Sequence, residues 1–90
     1  MKKVTLCLEF RGGKGHAYVN VVPSNYGIEK VAASGCIEYE LASPGTYTIM
    51  FEGNSPAGGT TATLYIDDAV FATRTISSEG YYSRYFKITI

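Results

Sequence analysis

Two glutamates, Glu38 and Glu40, have the spacing that most resembles a catalytic pair. On a β-strand they would share one face, about 6.6 Å apart along the backbone, which approaches the carboxyl separation of inverting glycosidases. The apolar residues Ile37, Tyr39 and Leu41 alternate with them, however, so we expect both glutamates to face solvent. A small sandwich also has little concavity for a sugar ring. A solvated strand face is favoured, and no enzyme is predicted here.

The single histidine, His16, is the only imidazole available as a general base. That role needs a nucleophile and an orienting acid close by, and Cys7 or Cys36 would have to supply the nucleophilic thiol. His16 follows a glycine-rich segment, and no sequence signature surrounds it. We therefore predict a surface histidine and no catalytic residue.

Two further segments have compositions that occur in ligand sites. Arg11-Gly-Gly-Lys-Gly15 offers backbone N–H groups and two cations, but it lacks the Gly-Lys-Ser/Thr ending and the following helix of a phosphate loop. Asp67 and Asp68, with Glu79 across a hairpin, supply three carboxylates, whereas calcium takes about 6 to 8 oxygen ligands. We predict a hairpin loop at 11–15, a short hairpin at Asp67-Asp68, no cofactor and no metal. Whether the two aspartates bind calcium stays open.

Tyrosine is the residue type that most strongly indicates a function. The chain has eight tyrosines and no tryptophan, and we expect Tyr18 and Tyr65 to point outward together with a group near residue 80. Exposed tyrosine presents a large, stiff, amphipathic area suited to protein interfaces or to stacking on sugars. The alternative, that strand tyrosines merely cover sheet faces, is equally open. The candidate interaction surface is Tyr81, Tyr82 and Tyr85.

The overall composition excludes several classes of partner. The 90 residues contain eight basic and eight acidic side chains, so the formal net charge is zero and no nucleic-acid partner is expected. No apolar run approaches the roughly 18 residues that span a bilayer, so no membrane partner is expected. The sequence Met1-Lys2-Lys3 resembles the start of a signal peptide, but the apolar run after it fails at Glu9. We expect a cytoplasmic protein by default, or a processed mature form.

The two cysteines, Cys7 and Cys36, are too few for a disulfide framework, and their spacing matches no metal motif. In a reducing compartment they would be thiols that pack as small hydrophobic side chains. We predict no bond between them. The main alternative is one disulfide that joins two strands.

Nearly every segment alternates apolar and polar residues with a period of two, which is the pattern of half-buried β-strands. Runs rich in Gly, Pro, Ser and Asn separate the segments at roughly ten-residue intervals, and no window combines a helical stripe with caps. We predict one domain over residues 1–90, an all-β antiparallel sandwich of seven or eight strands with Greek-key-like connections. The predicted core consists of Val4, Leu6, Leu8, Val19, Val21, Ile37, Tyr39, Leu41, Tyr47, Ile49, Phe51, Leu64, Ile66, Phe86 and Ile88.

Two short motifs resemble those of known families. The segment 41–49, with Pro44-Gly-Thr-Tyr47, resembles the turn and strand of prealbumin-like and other immunoglobulin-like bacterial sandwich domains. That resemblance implies adhesion, assembly or accessory carbohydrate binding, with no catalytic residues. Phe51-Glu-Gly53, followed by Gly58, is similar to the aromatic-to-glycine corner of βγ-crystallin Greek keys, although Leu8 stands in place of the first aromatic of the other repeat.

Together these features predict a non-enzymatic binding or assembly module that acts through protein–protein contacts, with another protein or a second copy as its partner. The contact is expected at the last strand, 81–90, because this strand is long, contains no proline and carries few charges. The alternative is a small carbohydrate-binding module that uses Tyr81, Tyr85 and Asn54.

Overall fold

The computed structural model describes residues 2–24 and 26–90. These residues contain no helix and form eight strands, β1 (Lys2–Phe10), β2 (His16–Val22), β3 (Glu29–Val31), β4 (Gly35–Leu41), β5 (Thr46–Ser55), β6 (Thr60–Ile66), β7 (Ala69–Ile76) and β8 (Gly80–Thr89). The strands pair antiparallel in two sheets, β4-β1-β6-β7 (sheet I) and β3-β2-β5-β8 (sheet II). The predicted fold class, an antiparallel β-sandwich, is confirmed.

The alternation along each strand determines which side chains fill the space between the sheets. In β5, Tyr47, Ile49 and Phe51 are buried, whereas the residues between them are exposed or half-buried. The rings of Phe51 and Phe86, from adjacent strands, stack with their centroids 5.7 Å apart. Burying aromatic rings of this size makes a large share of the hydrophobic stabilisation of a small domain.

The predicted core agrees with the observed one at all but two positions. Ile37, on the edge strand β4, and Ile66, at the end of β6, are only partly buried, although both pack against the core. A side chain at an edge or a strand end has neighbours on fewer sides, which the alternation along a strand cannot reveal. The structure adds four buried hydrophobic residues that the prediction omitted, namely Ala17, Ala62, Ile76 and Tyr82.

The connections between strands differ in how well local sequence predicted them. The hairpin at Asp67-Asp68 is confirmed, and both aspartates have the positive φ angles (50° and 68°) that a two-residue hairpin turn favours. The hairpin predicted at 11–15 is wrong, because β1 and β2 belong to different sheets and this segment crosses between them. Gly12, with φ of 72°, lies so close to the 56–59 turn that a Cβ atom would be 3.0 Å from the Gly58 nitrogen.

The prediction that Cys7 and Cys36 are not bonded is wrong. The antiparallel pairing of β1 with β4 sets the two cysteines directly opposite each other, with Cα atoms 4.0 Å apart, and they form a disulfide. The error has a physical cause, since the 29-residue separation is bridged by strand pairing and not by local sequence. The expectation that the two cysteines pack as thiols is therefore wrong as well.

Candidate functional site

The acidic residues considered for catalysis or calcium binding have structural roles or lie on open surface. Glu38 and Glu40 are exposed on the edge strand β4. Asp67 and Asp68 form ion pairs with Lys2 and Lys3, at 3.1 and 2.8 Å, which fasten the β6–β7 hairpin to β1. Among the described residues no three His, Cys, Asp or Glu side chains come together in a metal-binding group.

Arg11 and His16, the basic and imidazole candidates, also make contacts within the fold. The Arg11 guanidinium donates to Glu9 Oε1 at 2.9 Å and to Thr61 Oγ1 at 2.6 Å, which directs it along the strands of sheet I. His16 lies edge-on to the ring of Tyr18, with centroids 5.5 Å apart, on the outer face of sheet II. Cys7 and Cys36, either of which was considered as a nucleophile, are both oxidised and belong to sheet I. No nucleophile–base pair results from these positions.

A hollow of about 670 Å³ lies beside the loop between β2 and β3, and polar groups around it make hydrogen bonds within the fold. The Tyr26 hydroxyl donates to the Glu40 carbonyl at 3.0 Å and accepts from the Glu40 N–H at 3.1 Å, which ties the loop to β4. The Ser24 hydroxyl donates to the Val21 carbonyl, and the Tyr47 hydroxyl donates to the Ser43 carbonyl. We therefore assign this hollow a structural role.

The outer face of sheet II carries three exposed tyrosines on nearby strands. Tyr81 and Tyr85 project from β8 and Tyr18 projects from β2, with Met50 and Glu52 of β5 between them. We call these five residues the tyrosine face. Tyr81 and Tyr85 are 71% and 60% exposed, more than any other tyrosine. The structure thus brings two of the three predicted surface tyrosines onto one face.

The assignment of Tyr82, the third predicted residue, to this surface is wrong. Tyr82 is only 2% exposed, its ring packs near Phe51, and its hydroxyl donates to the His16 carbonyl at 3.0 Å. The physical reason is the period of the strand, since Tyr82 is one residue out of phase with Tyr81 and in phase with the buried Phe86. Tyr65 is separate as well, because it belongs to β6 of the other sheet.

Hydrogen bonds and ring contacts hold the tyrosine face in place. The Tyr81 hydroxyl donates to Glu52 Oε2 at 2.7 Å. That hydrogen bond, with desolvation and the nearby carboxylate charge, raises the pKa of Tyr81 above its ordinary value, because ionisation would lose the bond. At the other end of the face, the Lys30 ammonium lies 5.8 Å from the centre of the Tyr18 ring. The face is consequently a preformed surface with both aromatic and charged groups.

A groove of about 400 Å³ runs across the middle of this face. We call it the Tyr18 groove, and its lining consists of Tyr18, Asn20, Ile28, Met50, Phe51, Glu52 and Ser83. Ile28 and Met50 are exposed apolar side chains there, and Asn20 and Glu52 supply an amide and a carboxylate. Ile28, Met50 and Glu52 were not predicted from the sequence. The alternation of β5 placed Met50 outward, but only the pairing of β5 between β2 and β8 shows that the tyrosines flank it.

No protein-family model, curated protein or solved structure is significantly similar to the chain. The resemblances to prealbumin-like domains and to βγ-crystallins therefore stay predictions from short motifs. Within residues 2–24 and 26–90, no helical segment has the length and hydropathy of a membrane span. Inferences about function accordingly rest on the geometry of the tyrosine face and of the strand edge beside it.

Proposed function

We propose that this chain is a non-enzymatic binding module that contacts another protein through the tyrosine face and the adjoining edge of β8. The observation that carries the proposal is the position of β8 at the end of sheet II, with Tyr81 and Tyr85 exposed along it. An edge strand offers unpaired backbone groups to an extended segment of a partner, and tyrosines beside it add contact area at little entropic cost.

Peptide selection tests this proposal even though the natural partner is unidentified. Peptides are selected from a displayed random library on the folded domain, and their affinities are then measured for the wild type and for Tyr81→Ala/Tyr85→Ala. We expect the double variant to lose at least about tenfold in affinity, because truncating anchor tyrosines removes a large share of binding energy. Phe71→Ala, which truncates an exposed aromatic of sheet I, is the matched control and should bind normally. Equal affinity for all three proteins would refute the proposal.

A second candidate, a small carbohydrate-binding module, is favoured by the Tyr18 groove. An exposed aromatic ring beside amide and carboxylate groups suits the apolar face and the hydroxyls of a sugar. The test is a glycan array, with Tyr18→Ala and Glu52→Gln as variants. Glycan binding that both variants abolish supports this candidate, and an array without any bound glycan rejects it.

A further inference from the structure

The four edge strands of the sandwich are not equally suited to pairing. β3 has only three residues, β4 carries Glu38 and Glu40, and β7 has an irregular register opposite Leu64 and Tyr65. Short length, charge and irregularity are the features by which proteins block edge-to-edge association. β8 also carries two charges, Arg84 and Lys87, but it pairs with β5 in unbroken register over ten residues, from Gly80 to Thr89. Its free side is therefore the longest regular edge in the described part of the chain.

The hydrogen bonds of β5 show which residues of β8 have free backbone groups. Gly45 and Ile90 exchange both N–H···O bonds, at 3.0 and 2.9 Å. In an antiparallel ladder such pairs alternate with non-hydrogen-bonded pairs, so the even-numbered residues of β8 bond to β5. The N–H and C=O groups of the odd-numbered residues then point to the free edge. These include Tyr81, Ser83 and Tyr85, so the edge-facing backbone groups and the exposed tyrosines belong to the same residues. The Ser83 carbonyl accepts a hydrogen bond from the Arg84 guanidinium at 2.8 Å, and pairing with a second strand would replace that bond.

We propose that β8 pairs antiparallel with β8 of a second copy of this chain, with the two-fold axis at Ser83. This inference rests on the proposed function and specifies its partner. The two copies of Ser83 would form a hydrogen-bonded pair, and each Tyr81 would lie opposite Tyr85 of the second copy. The two four-stranded sheets II would become one eight-stranded sheet with a shared tyrosine face.

The charges near the edge select this register. A two-fold axis at Ser83 brings Lys87 beside the β7–β8 turn of the second copy, where Glu79 is exposed, twice in the dimer. An axis at Arg84 would instead set the two Arg84 side chains against each other, and like charges directly opposite are destabilising. An axis at Tyr85 would set Lys87 opposite Ser83, without a counter-charge. A slip that pairs odd with even residues would place the outer face of one copy beside the inner face of the other.

The side chains on the inner side of the edge also fit this register. Arg84 is exposed in the single chain and would lie opposite Tyr82 of the second copy, whose ring stays buried in its own core. Phe86 would lie opposite Gly80, which has no side chain to collide with it. A cation, Arg74, already covers the Phe86 ring at 4.7 Å, so the aromatic side chain needs no further cover from the second copy.

Charge reversal tests both the dimer and its register. The dissociation constant of the wild-type dimer is measured by sedimentation equilibrium, together with those of Lys87→Glu, Glu79→Lys and the double variant. Each single reversal should weaken the dimer at least about tenfold, because it sets like charges opposite each other, and the double reversal should restore it. Lys14→Glu, an exposed lysine in the 11–15 segment, is the matched control and should leave the dimer unchanged.

Cysteine cross-linking gives an independent readout of the axis. Ser83→Cys should form a covalent dimer under mild oxidation, because the two Cα atoms of a hydrogen-bonded pair lie about 5.5 Å apart, within disulfide range. Thr89→Cys, on the same face of the same strand, is the matched control and should not cross-link, since its counterpart lies at the far end of the ladder.

A chain that stays monomeric at all concentrations, or a dimer in which Ser83→Cys does not cross-link and the double reversal does not rescue, overturns the inference. The proposed function, binding through the tyrosine face, is tested separately by the peptide selection. Peptides whose binding depends on Tyr81 and Tyr85 would uphold it even for a monomeric chain, and only the second copy as partner would then be rejected.

Discussion

At the scale of single residues, two buried tyrosines differ in whether their hydroxyls are satisfied. The Tyr82 hydroxyl donates to the His16 carbonyl, which lies on the neighbouring part of sheet II. The Tyr39 hydroxyl is buried and has no hydrogen-bond partner among the described residues. A buried polar group without a partner destabilises the folded state, whereas a paired one contributes a small net stabilisation.

This difference predicts opposite effects of the same substitution. Tyr82→Phe should lower the free energy of unfolding by about 1 kcal/mol, because it leaves the His16 carbonyl without its donor. Tyr39→Phe should leave it unchanged or raise it by up to about 1 kcal/mol, since no bond is lost. Urea unfolding curves of the two variants and the wild type measure both effects, and each variant serves as the control for the other. A larger loss for Tyr39→Phe than for Tyr82→Phe would contradict this account.

At the scale of strands, the disulfide is the covalent link of sheet I. It joins β1 at Cys7 to the edge strand β4 at Cys36 and closes a segment that includes β2 and β3. A cross-link of this kind stabilises mainly by reducing the conformational freedom of the unfolded chain, more so for long segments. The disulfide therefore holds β4 to β1 in addition to the backbone hydrogen bonds between the two strands.

Removing the disulfide should destabilise the domain without changing its fold. We expect Cys7→Ala/Cys36→Ala to lower the free energy of unfolding by about 2–4 kcal/mol, as measured by urea unfolding. A reducing agent should produce a similar loss in the wild type and no change in the double variant. A count of two free thiols in the native, unreduced protein would show that the bond does not form.

β8 carries charges that oppose non-specific pairing, and it also has a free edge on which a specific partner strand can pair. Arg84 and Lys87 are charges of the kind that discourage non-specific pairing of an exposed edge. In the dimer that we propose, Lys87 lies beside the exposed Glu79 of the second copy, so the charge that discourages non-specific pairing also favours this partner. Specificity of this type depends on repulsion from the wrong partners as much as on attraction to the right one.

At the scale of the whole molecule, burial of tyrosines links stability to alkaline pH. Desolvation raises the pKa of Tyr39 to about 12, with smaller contributions from Glu29 and Tyr26, and desolvation raises the pKa of Tyr82 to about 12 as well. The ordinary value is 10.0, so the folded state holds these two protons more tightly than the unfolded state. The resulting stability is fully present below about pH 10 and is lost as the pH rises toward 12.

The urea midpoint should therefore fall between pH 10 and 12, in step with late ionisation of two tyrosines seen by absorbance at about 295 nm. The double variant Tyr39→Phe/Tyr82→Phe is the control, and its midpoint should depend much less on pH in this window. A wild-type midpoint that stays constant from pH 10 to 12 would show that burial does not shift these groups.

The strands, the sandwich and nearly all of the core were predictable from local sequence patterns. This was possible because alternation is a local property, and it assigns each side chain to one face whatever the strand's neighbours are. The same rule assigns Tyr82 to the inner face with Phe86, so its inclusion in the surface came from its position next to Tyr81 and not from the alternation.

The identity of neighbouring strands and their register could not be predicted without the three-dimensional structure. The Cys7–Cys36 bond, the crossing of 11–15 between sheets and the position of β8 at an edge all depend on pairing between segments distant in sequence. The apolar–polar alternation of one strand is compatible with several different neighbouring strands, since backbone hydrogen bonds are the same for every pair of strands. The packing of both sheets together selects one arrangement of neighbouring strands. No single segment of the sequence contains that information.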